Sequence, residues 1–267
     1  MNIFIFGSNG MLGRYVFKYL KSIYPYVVPI NREDLDISKV TKRKLYTSNI
    51  GKGDWVINCA GVISQRKGAS EIDYITVNAL FPHLLQDICA HRGAKLIHIS
   101  TDCVYKADIG KYDENSIHDA TDIYGRTKSI GEPKNATIIR TSIIGEELKN
   151  KLSFIEWVKS NKGGIVNGFT DHKWNGITCL EFAKLCERLI NGELFWTDVK
   201  HVFSERIVSK YEMVGLINKA DDLNMQVNPV VSSNTCDRSL STIRSEIDIE
   251  VPDLYDQIIE QKNFNIE

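Results

Sequence analysis

One short segment constrains the fold of this chain more than any other. Gly7-Ser8-Asn9-Gly10-Met11-Leu12-Gly13 follows an apolar run at residues 2–6 and opens directly into a stretch of helical periodicity. Glycines in a Gly-x-x-Gly-x-x-Gly pattern let the backbone turn sharply from strand to helix and approach a pyrophosphate closely. The free N–H groups and the positive dipole end of the first helical turn then meet that anion. Three glycines alone are a weak signal, but a strand before them and an amphipathic helix after them supply the required context. All seven residues are therefore candidates for holding a dinucleotide phosphate. A tight turn that binds nothing is the alternative.

The rhythm that follows is strand and helix in alternation. Strands are expected at residues 2–6, 26–30, 54–58, 95–100 and 137–141. Helices are expected at 10–22, weakly at 40–48, at 71–92, and from 122 to 131. In the first helix Leu12, Val16, Tyr19, Leu20 and Ile23 share a face; in the long one Ile75, Leu80, Leu84, Leu85 and Ile88 do. Strands that are apolar nearly throughout argue for a sheet covered on both faces. The fold class expected is α/β, a doubly wound, Rossmann-like parallel sheet over residues 1–150, with a smaller C-terminal substrate lobe over 151–267. In that lobe helices are expected at 152–161, 178–191 and 211–218, with loops at 163–176 and 224–236. A strand near 199–203 is a candidate to return to the main sheet.

Chemistry enters with Tyr124 and Lys128, four apart and so on one face of a helix. An ammonium beside a phenol is expected to lower the tyrosine pKa and tune it for general acid–base work. Thr101, at the carboxyl end of the fourth strand, faces the crevice where such sheets bind ligands, and its hydroxyl can hold a substrate oxygen. After the second strand come Asn31 and Arg32, which suit a 2′-phosphate and favour NADP over NAD. Asp36 and Ile37 can bracket an adenine.

Several segments together resemble the extended short-chain dehydrogenase/reductases. They are Gly7 to Gly13, Asn58-Cys59-Ala60-Gly61, Val77-Asn78-Ala79, Ser100-Thr101-Asp102-Cys103-Val104-Tyr105 and Tyr124-Gly125-Arg126-Thr127-Lys128. Residues 31–37 and Arg140-Thr141-Ser142-Ile143-Ile144-Gly145 are most similar to the dTDP-4-dehydrorhamnose reductase group. The resemblance runs through residues 1–145 and thins beyond them. It implies that Thr101, Tyr124 and Lys128 are catalytic, that Cys59, Ala60 and Gly61 lie along the cofactor, and that Asn78 supports the site. The implied reaction is NADPH-dependent reduction of a 4-keto-6-deoxy sugar carried on a nucleoside diphosphate, a step of deoxysugar (rhamnose) biosynthesis. Dehydratases of the class resemble Thr-Asp-Glu where this chain has Thr101-Asp102-Cys103, so loss of the glutamate argues for a plain reductase. Residues 62–70 depart from the reductases' usual run, which leaves the sugar open. Asp102, Cys103, Trp174 and Arg238 are the candidate substrate contacts, the last resembling a basic position near the diphosphate. Two other functions stay open: a bifunctional epimerase/reductase, and a non-catalytic cofactor-binding regulatory subunit like that of methionine adenosyltransferase, which resembles the same group.

Charge argues against other classes. With 33 basic and 34 acidic side chains the net charge is -1, and no basic stripe suits a nucleic acid. No apolar run is long enough to span a bilayer, and residues 1–6 lack a signal peptide's basic start. Cys59, Cys89, Cys103, Cys179, Cys186 and Cys236 form no Cys-x-x-Cys pair, so no metal site is expected, and reduced thiols in a cytoplasmic protein are. The expected partner is the sugar nucleotide, with a homodimer left open.

Overall fold

The computed structural model describes residues 1–46, 49–64, 68–148, 151–194 and 196–266. The expected helix end at 47–48 and residues 65–67 of the divergent 62–70 segment lie outside them.

The doubly wound sheet is present. Six strands hydrogen-bond in the order Asp198–His201, Thr137–Thr141, Lys95–Thr101, Trp55–Asn58, Ile3–Phe6, Val27–Ile30. Ile3–Phe6 pairs in parallel with Val27–Ile30 on one side and with Trp55–Asn58 on the other. The chain thus leaves the first strand in one direction and returns on its far side, which makes the gap between the first and third strands the topological switch point. Side chains alternate between faces. Phe4, Phe6, Val56 and Leu96 pack with Phe81, Leu85, Ile88 and Cys89 of the helix Phe81–Arg92. The rings of Phe6 and Phe81 meet edge-on at 5.5 Å. Cutting Phe81 to alanine is worth about 3–5 kcal/mol at such a fully buried position.

The first helix, Met11–Ile23, buries Leu12, Tyr15, Val16 and Leu20, while Ile23 is exposed. The long helix differs more from expectation. It is α-helical over Glu71–Tyr74, π-helical over Ile75–Leu80 and α-helical again over Phe81–Arg92. The Phe81 N–H reaches back five residues to the Thr76 carbonyl. That wide turn rotates the faces, so Ile75 and Leu80 are exposed and Val77, Asn78 and Ala79 are buried instead.

The chain does not divide once, near residue 150, as expected. One compact unit comprises residues 1–106, 118–140 and 183–200; the other comprises 107–117, 141–182 and 201–267. The reason is local: the strand Asp198–His201 pairs at the sheet edge, and residues 107–117 hydrogen-bond with residues 239–243. In the second unit Glu114 is a structural hub, accepting from the His201 and Ile243 amides and the Thr242 hydroxyl. The expected loops at 163–176 and 224–236 contain strands. Ile165–Phe169 pairs in parallel with Gln226–Val230, and His172–Trp174 lies between Val208–Ser209 and Cys236–Asp237. Ile165–Phe169 carries Gly168 and Gln226–Val230 carries Pro229, and the other three are only two or three residues long, so the sequence does not announce them; long-range pairing makes them. The unit's core joins Trp174, Val208, Met213, Val214 and Ile217 to Leu254 and Ile258 of the helix Leu254–Asn263.

Candidate active site

The first unit holds the glycine loop at the switch point. The Gly7 amide donates to Ile30 O and the Gly10 amide to Gly7 O, which closes the turn. A Cβ on Gly13 would sit 2.2 Å from Gly7 O, so only glycine lets the helix start this close beneath the loop. Gly10 caps that helix without any side chain, and its first turn carries no acidic residue. The open N–H groups and dipole are therefore available to an anion. Ser8 is 4% exposed, and among the described residues its hydroxyl has no hydrogen-bond partner. An orphaned buried hydroxyl beside an uncapped helix start fits a pyrophosphate.

The neighbouring third strand ends in Asn58, Cys59 and Ala60. The Cys59 amide donates to Phe6 O, and the Ala60 amide to the Asn58 side chain. The Asn58 amide nitrogen in turn donates to Nδ1 of the fully buried His98 at 3.0 Å. Burial, then Lys128 and His83, hold the His98 pKa well below its usual value, so the ring is neutral. The π-turn places Asn78 against the continuing loop: its Oδ1 accepts from the Val62 amide and its Nδ2 donates to Val62 O, both at 2.8 Å. Asn78 is 1% exposed.

At the second strand's end Asn31 and Arg32 occupy a turn. Asn31 Oδ1 accepts from the Glu33 amide. The Arg32 guanidinium is 64% exposed and lies 3.6 Å from Asp36. Asp36 caps the turn Ile37–Lys39 through Ser38, and that hydrogen bond holds its carboxyl below the usual range.

The helix Ile123–Ile130 begins at Asp122, whose carboxylate accepts from the Gly125 amide. A Cβ on Gly125 would stand 2.2 Å from Cys103 O, so glycine lets the turn Asp102–Val104 press against this helix. That contact brings Tyr124 into a hydrogen bond with Thr101. Thr101 Oγ1 also accepts from the Cys103 amide at 3.2 Å and donates to Asp102 Oδ1 at 3.1 Å. Lys128 is 4% exposed and donates from Nζ to Ile99 O at 2.6 Å. Burial pushes its pKa down to about 8, against the partial pull of Glu132 and Cys59.

The expected lowering of Tyr124 is not what this environment produces. Its pKa is raised, by burial first and then by Cys103, with Asp102 and Asp122 adding to the rise; the Thr101 hydrogen bond works the other way. A poorly solvated phenol and three acidic or thiol neighbours set the direction, against the Thr101 hydrogen bond. The group is thus held protonated.

A family model described as RmlD substrate binding domain matches residues 1–253. The chain belongs to that family. A dTDP-4-keto-6-deoxy-D-glucose reductase from Streptomyces niveus is 32% identical over 146 residues, covering 51% of this chain and 50% of that protein. The match to a dTDP-4-dehydrorhamnose reductase from Mycolicibacterium smegmatis likewise takes in 45% of that protein; the chain spans about half the length of these curated relatives. In fold the agreement is end to end. A dTDP-4-dehydrorhamnose reductase from Clostridium acetobutylicum superposes with a TM-score of 0.79 at 23% identity, covering 98% of both chains. One from Bacillus anthracis, in complex with NADP, gives 0.79 at 21% identity, covering 98% of this chain and 99% of that one. The family resemblance and the fold expected from the sequence are both borne out.

Two candidate residues belong to the second unit. Trp174 is 8% exposed and part of that unit's core, and Arg238 is half-buried, its amide donating to Lys173 O. Sequence reasoning missed a buried network in the first unit. Glu132 accepts from the Ser100 hydroxyl and from Arg140 Nε and Nη2, while Arg140 Nη1 donates to the Tyr105 hydroxyl at 2.6 Å. Glu132 stands four residues past Lys128, just beyond the end of the helix Ile123–Ile130, and that nearness is the signal that could have drawn attention to it. Among the described residues no cluster of three metal-ligating side chains occurs, and no helix is long and apolar enough to cross a membrane.

Proposed function

We propose that this chain is a NADPH-dependent reductase of a nucleotide-linked 4-keto-6-deoxy sugar, acting in deoxysugar biosynthesis. The observation that carries the reading is the Thr101–Tyr124 hydrogen bond with buried Lys128 on the same helix face, in a chain of this family. Residues 7–13 cradle the pyrophosphate, Cys59, Ala60 and Gly61 line its path, and Asn78 fixes that loop. Asn31 and Arg32 favour the 2′-phosphate, in keeping with the NADP held by the Bacillus anthracis relative. The bound nicotinamide supplies the hydride. Tyr124 gives its proton to the oxygen at C4, Thr101 holds that oxygen, and Lys128 steadies the phenolate left behind. Asp102, Cys103, Trp174 and Arg238 are the proposed sugar-nucleotide contacts. With Cys103 where dehydratases carry glutamate, no second acid stands beside Thr101 to drive elimination.

Purified protein with a dTDP-linked 4-keto-6-deoxy sugar should consume NADPH. Tyr124→Phe should cost roughly 100- to 10,000-fold in kcat while cofactor affinity, read by fluorescence titration, is retained. No turnover across a panel of dTDP and UDP keto sugars, or an active Tyr124→Phe variant, would sink the reading. The same reading needs neither nucleic acid nor membrane, and six free cysteines suit a reducing cytoplasm. Light scattering on the purified protein decides whether it works as a homodimer.

A further inference from the structure

We propose that His98 is a positioning residue for the cofactor: through Asn58 it fixes the Ala60 amide, and so holds residues 59–61 against the glycine loop. The inference rests on residues 59–61 lying along NADPH and deepens that reading.

The sheet by itself does not hold this segment. Asn58 is the last paired residue of the third strand, in register with Phe6 on one side and His98 on the other. The Cys59 amide still reaches Phe6 O. The Ala60 amide lies past the ladder and is met by a side chain instead, Asn58 Oδ1, at 3.2 Å. Its placement matters to the phosphate loop. A Cβ on Gly7 would stand 2.8 Å from the Ala60 nitrogen and 3.0 Å from the Cys59 carbonyl carbon. The 59–60 peptide therefore packs directly on the first glycine, and a shift in that peptide moves the surface on which Gly7 rests.

Hydrogen-bond capacity sets every orientation in this chain of contacts. A backbone N–H only donates, so Asn58 turns its oxygen to Ala60 and its NH2 group to His98. That nitrogen lies 3.0 Å from His98 Nδ1, which must offer a lone pair. The proton of the neutral ring is then on Nε2. A flipped Asn58 would set two donors face to face at Ala60, and a proton on Nδ1 would do so at His98.

The arrangement is kept in surroundings that do not favour it. Asn58 and His98 are both fully buried, on the sheet face that also presents Phe6, Val56 and Leu96. Polar side chains in such a layer cost stability unless they are hydrogen-bonded. Among the described residues His98 Nε2 has no hydrogen-bond partner. The imidazole is thus placed for its other nitrogen, and the use of that nitrogen is to hold Asn58.

The test separates the acceptor from the bulk of the ring. Asparagine at position 98 puts an oxygen where Nδ1 stands; leucine fills the space and accepts nothing. His98→Asn should keep NADPH affinity within about twofold, read by fluorescence titration of the full chain, although lost ring volume lowers its Tm. His98→Leu should weaken NADPH about tenfold. Asn58→Leu, which cuts the same link from the other side, should match it, and the double variant should lose little more. In nitrogen NMR of the histidine-labelled parent, the ring that His98→Asn removes should carry its proton on Nε2. His98→Asn weakened as much as His98→Leu, additive losses in the double variant, or a proton on Nδ1 overturns the proposal. Should His98→Leu fail to fold, Asn58→Leu and the ring tautomer decide. A parent that binds no NADPH defeats the cofactor reading together with this one. A parent that binds NADPH yet reduces no sugar defeats the sugar reading and leaves the role of His98 standing.

Discussion

Lys128 and Arg140 are both cations buried in the first unit, 4% and 2% exposed, and they are buried on opposite terms. Burial works to lower the Arg140 pKa, but two hydrogen bonds from its guanidinium to Glu132 override it, and the net shift is upward. Lys128 has a backbone carbonyl, Ile99 O, in place of a carboxylate, and its pKa falls to about 8. One charge is neutralised where it stands and serves the fold. The other is left under-compensated on the helix face it shares with Tyr124, at a cost to stability. Perturbed groups of the second kind are the ones that mark chemistry.

The comparison breaks if the two cations respond alike to removal. Arg140→Met leaves the Glu132 carboxylate buried without its partner and should cost about 3–5 kcal/mol in urea unfolding. Lys128→Met should go the other way. The folded value of about 8 lies below the 10.5 of the free side chain, so between those pH values the unfolded chain binds more protons and stability rises with pH. Below pH 8 the full cost of the buried ammonium is present. The Lys128→Met protein should therefore be more stable at pH 7, by up to about 3 kcal/mol, with the gain gone above pH 10.5 and reductase activity lost. Loss of stability at pH 7 would show that Lys128 is as well paired as Arg140.

Two smaller effects sharpen the same contrast between scaffold and chemistry. Asn78→Ala strands the Val62 amide and carbonyl and should cost about 1–3 kcal/mol, read by thermal unfolding together with weaker cofactor binding. Arg32 is an exposed cation, 64% open, with only a loose contact to Asp36. Arg32→Ala should leave stability within about 0.5 kcal/mol and weaken NADPH about tenfold, with NADH unaffected. Equal loss of both cofactors would remove Arg32 from the 2′-phosphate.

Much of this was legible without coordinates. The glycine loop, the alternating strands and the Tyr124–Lys128 spacing are local patterns, and local patterns survive in a sequence. The π-turn was not legible, because an extra residue in one helical turn changes which face is buried without changing the residue types; Asn78 reached its place against Val62 only through it. The strands at 165–169 and 226–230 were not legible either, since each is made by a partner far away in the chain.

Sequence alone determined the family, the fold class and the helix that carries Tyr124 and Lys128, since each rests on spacing along the chain. Tertiary structure decided the charge states. Whether Lys128 lowers the Tyr124 pKa depends on what else surrounds the phenol, and that was set by Gly125 letting the Asp102–Val104 turn press in with Cys103 and Asp102. Burial and the sum of neighbouring charges are properties of three-dimensional packing, which is why the sequence singled out Tyr124 but mistook the direction of its pKa.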